Sequence, residues 1–308
     1  MRRLYPAGVC PAPFGRPPLF CPSLSVSCEK SQQWGPDLML SSFKGILSFA
    51  VVAISTFAFG GQAWAADMVS YRAVYDIRLA DAKRGSSVSG ASGKLAYGVK
   101  KTCDGWLVSQ TGTMYFQTTA GDVLPQPLTF SSWESGNGSE YRFTSMDDHE
   151  GGDAILGAAR MPKDGTDGKA EFSKPQDVTF KLPQGTMFPV EHTMHILKQA
   201  QAGKSQFENI VFEGVNVEGV KLLVTFISPL SAQAHKAAKQ IGSAALKQPG
   251  WNFRLAYFDP ESKTGEPMYE IEADYLENGI PVRWVLDYGD FSVEMGMSKL
   301  ELLPQPKC

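Results

Sequence analysis

Residues 268–303 read MYEIEADYLENGIPVRWVLDYGDFSVEMGMSKLELL, and they hold three strand patterns separated by two tight turns. Asn278-Gly279 divides the first pattern from the second, and Gly289-Asp290 divides the second from the third. Asn-Gly is the dipeptide most typical of a two-residue hairpin turn. With a further pattern at 253–258, this stretch predicts four successive strands paired as an antiparallel meander.

Alternating polarity extends the β pattern toward the N-terminus. In VSYRAVYDIRL (residues 69–79) apolar side chains alternate with Arg and Asp, as in a strand with one buried face. Further strand patterns lie between turns rich in Gly, Asp and Asn, at 90–99, 106–116, 128–134, 140–146, 154–161, 170–172, 177–181, 207–212 and 220–228. The sequence therefore predicts a mainly β protein.

One helix is predicted among these strands, at residues 189–202 (PVEHTMHILKQAQA). Val190, Met194 and Leu197 recur at helical spacing, with a proline at the start and a glycine after the end. A helix among strands must bury its apolar stripe against the sheet. We therefore expect Phe188, Val190, Met194 and Leu197 to pack on the sheet and to shape a groove that can hold an apolar ligand.

Two features leave alternatives open. Residues 231–247 are rich in Ala, Lys and Gln and fit either a second helix or a mobile connection. Trp106, Trp133, Trp251 and Trp284, with many Phe and Tyr, either line a hydrophobic cleft or simply fill strand faces, as aromatic residues do in β domains.

An export signal is predicted upstream of the strands. Lys44 gives a basic flank, residues 45–59 are apolar, and Ala63-Trp64-Ala65 is a signal-peptidase pattern. The apolar run is shorter than the about 20 residues that span a bilayer, although a retained anchor is the alternative. We expect a disordered or spurious leader at 1–38, a cleaved signal peptide at 39–65 and one periplasmic domain at 66–308.

The charge of the predicted mature chain excludes some partners. Residues 66–308 contain 24 Lys and Arg against 30 Asp and Glu, a formal net charge of −6. Phosphate contacts made by basic side chains dominate nucleic-acid affinity. We therefore expect no nucleic-acid partner, and no attraction to anionic lipid surfaces.

Cysteine usage predicts one disulfide. Signal cleavage removes Cys10, Cys21 and Cys28 and leaves Cys103 and Cys308. In an oxidising compartment two remaining cysteines pair by default. A free or redox-active pair is the alternative, although the sequence has no CxxC motif.

The sequence contains no recognisable catalytic constellation. His192 and His195 lie three residues apart on the predicted helix, but there is no HExxH and no GxSxG motif. The acidic run 146–153 lacks the spacing of an EF-hand and is expected to be a solvated loop. We predict no metal, no cofactor and no enzymatic activity; an envelope hydrolase with an unrecognised site is the alternative.

Several ordered motifs resemble the EipB-like envelope integrity family of alphaproteobacteria. They are LPQGTMFP at 182–189 running into His192, CDGW at 103–106, ENG at 277–279, DYGDF at 287–291 and the C-terminal Cys308. The resemblance covers essentially the whole mature chain.

The resemblance implies a periplasmic β-spiral, which is a long antiparallel sheet curled into an open barrel with one helix. Cys103 and Cys308 match the family's disulfide pair. The shape is similar to periplasmic lipoprotein carriers, which implies a lipid or lipoprotein ligand. The family further implies a role in envelope integrity and an association with a tetratricopeptide-repeat envelope protein, but no enzymatic activity.

Overall fold

One antiparallel sheet dominates this computed structural model, which describes residues 68–146 and 154–308. The predicted leader at 1–38, the predicted signal peptide at 39–65 and most of the acidic run 146–153 lie outside the described residues. The strands are β1 (Tyr71–Ala82), β2 (Val88–Lys101), β3 (Gly105–Thr118), β4 (Val123–Ser135), β5 (Glu140–Met146), β6 (Ala154–Arg160), β7 (Gly168–Lys174), β8 (Thr179–Leu182), β9 (Gln206–Val211), β10 (Lys221–Pro229), β11 (Gly250–Phe258), β12 (Tyr269–Leu276), β13 (Pro281–Asp287) and β14 (Phe291–Leu302).

The strand order explains how the sheet is assembled. It runs β8-β7-β6-β5-β4-β3-β2-β1-β14-β13-β12-β11-β10-β9, and every neighbouring pair is antiparallel. The first and last strands pair with each other from Tyr71 opposite Leu302 to Ala82 opposite Phe291. Two meanders are thereby joined at the centre, and β8 and β9 form the edges.

Side chains from distant strands meet on the inner face because the sheet curls. The rings of Tyr97 on β2 and Trp284 on β13 are 5.3 Å apart. Phe143 on β5 and Phe212, just after β9, are 5.6 Å apart. The two edge strands share no ladder, so the barrel stays open. The predicted fold, a long antiparallel sheet curled into an open barrel with a helix, is confirmed.

Helix α1 (Pro189–Gln201) connects the two edges of the sheet. Just before it, Met187 forms a bridge to β9: its N–H donates to the Ile210 carbonyl at 2.9 Å, and the Phe212 N–H donates to the Met187 carbonyl at 3.0 Å. The chain segment at the start of α1 therefore spans the gap between β8 and β9.

The segment 231–247 forms helix α2 (Ala232–Ile241) followed by a 3-10 turn at Ala244–Leu246. The Ser231 hydroxyl accepts the Ala234 N–H at 3.1 Å, and Gly242 ends the helix in the left-handed region with φ 72°. The segment is therefore helical and capped at both ends, which decides between the two predicted alternatives. Across the part of the chain that the structure describes, no helix is long and apolar enough to cross a membrane.

Strand β4 differs from the prediction because it begins at Val123 and contains Pro125 and Pro127. The strand pattern predicted at 128–134 excludes both prolines. They are tolerated because β5 pairs with β4 only from Phe130 to Glu134, which leaves one side of the proline segment free. Proline is accepted where a strand has an unpaired side.

The interior is divided into two clusters. The larger one joins the inner faces of β1–β3 and β10–β14 to α1. The smaller one is aromatic and lies on β5–β8, where Tyr141, Phe143 and Phe172 surround Phe212. The space beneath α1 lies in the larger cluster.

Candidate functional site

Two adjacent cavities lie between α1 and the inner face of the sheet, with volumes of about 290 Å³ and about 240 Å³. We refer to them together as the inner chamber. The residues that line both cavities are Tyr97, Gln110, Pro189, Thr193, Glu213, Ile271, Tyr275 and Trp284.

Successive side chains of a strand point to opposite faces of the sheet, and this decides which residues line the inner chamber. On β12, Ile271, Ala273 and Tyr275 line it, while the residues between them lie on the opposite face of the sheet. Trp284 lies between two tyrosine rings, with centroids 4.5 Å from Tyr75 and 5.3 Å from Tyr97. Offset and edge-on ring contacts of this kind hold the wall in one arrangement.

The helix contributes a polar group that has no charge at neutral pH. His192 is buried, and burial, followed by the charge of His195, lowers its pKa to about 4. Its Nε2 atom has no hydrogen-bond partner within residues 68–146 and 154–308. His192 lines the larger cavity, so it presents a neutral imidazole to that space.

Glu213 contributes a carboxyl group to both cavities. Desolvation raises its pKa above the ordinary value, although the Tyr269 hydroxyl donates to its Oε2 at 3.3 Å. A carboxyl group with a raised pKa more readily carries a proton and donates a hydrogen bond. The inner chamber therefore combines apolar walls with a few hydrogen-bonding groups of low charge, as small-molecule sites do.

The four residues predicted to shape the groove occupy different places. Val190 lines the smaller cavity. Leu197 is fully buried in the larger cluster, and Met194 is half-buried against the same cluster. Phe188 lies in the aromatic cluster, where its ring stacks on Tyr141 at 5.0 Å.

The helix side chains that face the larger cavity are Pro189, His192, Thr193 and Ile196. Sequence reasoning missed the last three as site residues because it followed the apolar stripe. The cavity-facing positions are of mixed polarity, and Thr193 and Ile196 lie one turn apart on the same face. His195, the second histidine of the predicted helix, packs edge-on against Phe207, with the ring centroids 5.3 Å apart.

A buried carboxylate anchors the N-terminus of α1. The Glu134 side chain on β4 accepts the Val190 N–H at 2.8 Å and the Glu191 N–H at 2.7 Å. Phe188, at the N-cap, makes no side-chain hydrogen bond of its own. The carboxylate thus takes the place of an N-cap side chain. Its negative charge also interacts favourably with the positive end of the helix dipole. No local signal marks it, because Glu134 lies 56 residues before Val190.

We expect the Glu134 carboxyl group to make stability depend on pH. Burial raises its pKa to about 7, against the two helix hydrogen bonds that lower it. Between pH 4.5 and 7 the folded protein holds a proton that the unfolded chain has released. The contribution of this group to stability is therefore fully present below pH 4.5, and up to about 3 kcal/mol is lost as the pH rises through 7. Denaturant unfolding at several pH values measures the slope of the free energy of unfolding against pH.

Glu134→Gln is expected to flatten that slope, because glutamine does not titrate. The matched control is Glu140→Gln on the adjacent strand, whose side chain is 39% exposed and should leave the slope unchanged. A Glu134→Gln variant with the wild-type slope would contradict the assignment.

The predicted pairing of Cys103 with Cys308 is present in the structure. Their Cα atoms are 5.7 Å apart, and the bond closes a sequence separation of 205 residues. It ties the chain end to the turn between β2 and β3, and both residues are exposed. The tail between β14 and Cys308 also contacts the start of β1, where the Leu303 N–H donates to the Ser70 carbonyl at 2.9 Å.

Comparison with known proteins gives consistent results in sequence and in structure. The sequence pattern of the EipB-like family matches residues 62–304. The Cell envelope integrity protein EipB of Brucella abortus is 29% identical over 257 residues, covering 79% of this chain and 89% of the relative.

A solved structure has the same architecture. The crystal structure of a β-barrel-like protein of a domain of unknown function from Brucella abortus superposes with a TM-score of 0.71 and 25% sequence identity. The match covers 78% of this chain and 100% of that chain. The family match covers most of the sequence and includes every strand of the described sheet. This chain therefore belongs to the EipB-like family.

Proposed function

We propose that this protein supports cell envelope integrity as an exported, non-enzymatic periplasmic protein that holds an apolar ligand in the inner chamber. Membership of the EipB-like family and the similarity to a cell envelope integrity protein support the envelope role. The export signal predicted at residues 39–65 supports the periplasmic location. An association with a tetratricopeptide-repeat envelope protein, implied by the family resemblance, is part of the same proposal.

The inner chamber is the observation that carries the ligand proposal. Its larger cavity, about 290 Å³, is close to the lower end of the range of about 300–1,000 Å³ for small-molecule sites. Apolar side chains from eight strands and α1 form most of its wall. A single acyl chain matches both the size and the apolar lining, and His192 and Glu213 offer hydrogen bonds to a polar end group.

The alternative of an envelope hydrolase finds less support at this site. Among the described residues that line the inner chamber there is no serine or cysteine. The Thr193 hydroxyl donates to the Pro189 carbonyl at 2.9 Å, which is the ordinary bond of a threonine inside a helix. The chamber groups therefore suit binding better than nucleophilic attack.

A fluorescent fatty acid tests the proposal. Leu286 lines the larger cavity, whereas Val285, the preceding residue on β13, points to the opposite face of the sheet. We expect Leu286→Trp to fill the chamber and to weaken binding of the fatty acid by about tenfold or more, which is about 1.4 kcal/mol. Val285→Trp is the matched control and should bind as the wild type does.

The measurement uses protein purified from the envelope fraction of cells that express the full chain. Circular dichroism melting shows that each variant is folded, so lost binding is not confused with lost structure. Equal binding by both variants, or no binding by the wild type, would overturn the chamber as a ligand site.

A further inference from the structure

A second concave site lies on the outer face of the same sheet. It has a volume of about 820 Å³ and crosses seven strands, from β1 to β7. We refer to it as the outer groove. Strand alternation points its charged side chains away from the core: Arg72 lies between the buried residues Tyr71 and Ala73. Val99 and Val108 line both the outer groove and the smaller cavity of the inner chamber, so the sheet itself is the wall between the two.

The strand register arranges the outer groove as a floor beside a ridge. The floor is a row of small residues paired across neighbouring strands: Gly98 opposite Ser109, Ser109 opposite Ser131, and Ser131 opposite Thr144. The ridge is the next outward row: Lys100 opposite Leu107, Leu107 opposite Trp133, and Trp133 opposite Arg142. Small floor residues beside large ridge residues leave a channel that runs across the strands.

The outer groove is cationic in an acidic protein. Arg72, Lys100 and Arg142 line it, whereas residues 66–308 carry a formal net charge of −6. Glu171 is the one carboxylate in the described lining, and Lys169 pairs with it at 2.6 Å. The positive charge is therefore concentrated toward the β1–β5 part of the groove.

These cations are available to a ligand. Lys100 has no ion-pair partner among the described residues. Arg72 approaches Glu301, and Arg142 approaches Glu140, only at 3.8 Å, with the arginine side chains 64% and 69% exposed. Exposed pairs of this length contribute little, so an incoming anion can compete for both guanidinium groups.

The ridge presents the residue types that dominate binding energy at protein interfaces. The Arg142 guanidinium lies 5.2 Å from the centre of the Trp133 ring. Leu107, directly opposite Trp133, is 42% exposed. Trp and Arg are enriched among the residues whose truncation costs most affinity, and a leucine beside them extends the apolar contact.

The length of the outer groove points to an extended chain. Seven strands have six spacings of about 4.8 Å, or about 29 Å in all, which matches about nine residues of extended polypeptide. We propose that the outer groove docks an extended acidic segment of a partner protein. Its carboxylates face Arg72, Lys100 and Arg142, an apolar side chain packs on Leu107 and Trp133, and the floor hydroxyls hydrogen-bond its backbone.

The probe for this proposal is a fluorescein-labelled peptide of about nine residues, with glutamates around a central leucine. Fluorescence anisotropy with the envelope-purified protein measures its dissociation constant. We expect saturable binding that weakens as salt is raised. The same peptide with glutamines in place of glutamates is expected to bind at least about fivefold more weakly, because it lacks the charge.

Variants locate the binding on the outer groove. Arg72 and Arg78 both lie on β1, both face outward, and both pair with a glutamate on β14. Arg72→Gln is expected to weaken peptide binding by about two- to fivefold, and Arg78→Gln, outside the groove, should not. Trp133→Ala is expected to weaken it by about tenfold or more. Tyr115→Ala, at an exposed aromatic residue outside the lining, should leave it unchanged.

Three outcomes would overturn the proposal. One is equal binding of the acidic and glutamine peptides, and another is equal binding by the Arg72→Gln and Arg78→Gln variants. The third is that an anionic polysaccharide, such as polygalacturonate, binds saturably and the acidic peptide does not bind at all. Fatty-acid binding by Trp133→Ala, measured in parallel, separates this test from that of the inner chamber and should match the wild type.

Discussion

Replacing Cys103 by Ser is expected to lower the free energy of unfolding by up to about 5 kcal/mol. The bond to Cys308 closes 205 residues, and the chain-entropy account of a closure of that length gives about this value. The folded state also loses the anchor of the tail that runs from Leu303 along the start of β1. Denaturant unfolding, with and without reductant, measures the difference.

Cys308→Ser should have the same effect as Cys103→Ser, and the double variant should be no less stable than either single variant, since one bond is lost in each case. Reduced wild-type protein should match all three. Free alkylation of both cysteines in unreduced protein from the envelope would contradict the role of this bond.

Replacing Arg283 by Met is expected to cost about 3–5 kcal/mol of stability. Arg283, on β13, donates to Glu272 at 2.6 Å, to Asp274 at 3.1 Å and to Glu294 at 3.2 Å. Its side chain is 12% exposed, and that of Asp274 is completely buried. Without the guanidinium, the completely buried carboxylate of Asp274 loses its cation, and Glu294 keeps only its pair with Arg78. Leaving a buried carboxylate uncompensated is the costly way to break a buried ion pair.

The loss should spread to helix α2. Asp274 also accepts hydrogen bonds from the Ser231 N–H at 3.1 Å and the Ser231 hydroxyl at 2.7 Å, at the N-cap of that helix. Faster amide hydrogen exchange in α2 is therefore expected together with the lower stability. Arg254→Met is the matched control, because Arg254 is 61% exposed beside Glu270 and should change stability by less than about 1 kcal/mol. Similar losses in both variants would contradict the role of the buried network.

Most of the fold follows from local patterns. Asn278-Gly279 and Gly289-Asp290 locate two turns of the meander. Alternation locates strands such as β1, in which buried and more exposed residues alternate. The helix prediction at 189–202 agrees with α1 to within a residue, since a proline and a glycine mark its ends. Patterns of this kind act within a few residues, so one sequence is enough to reveal them.

The sequence predicts less of the candidate site, because the contacts that build the site join residues far apart in the chain. Trp284 and Tyr97 meet only after the sheet curls, and Glu134 reaches the start of α1 from another strand. The apolar stripe of the helix identified Leu197, which belongs to the core, and missed His192, which faces the chamber. The outer groove depends on the register of seven strands, which no local pattern determines.

The pairing of the first strand with the last has a kinetic consequence. Residues in β1 and β14 that face each other are more than 200 positions apart, as Tyr71 and Leu302 are, and the two meanders are joined in the sheet through this ladder alone. Such a high contact order slows folding, because the entropy of closing the whole chain is lost before the ladder forms. Until β14 arrives, β1 has an open edge that can pair with other chains. We therefore expect the newly synthesised chain to expose this edge to aggregation until its C-terminal strand pairs with β1.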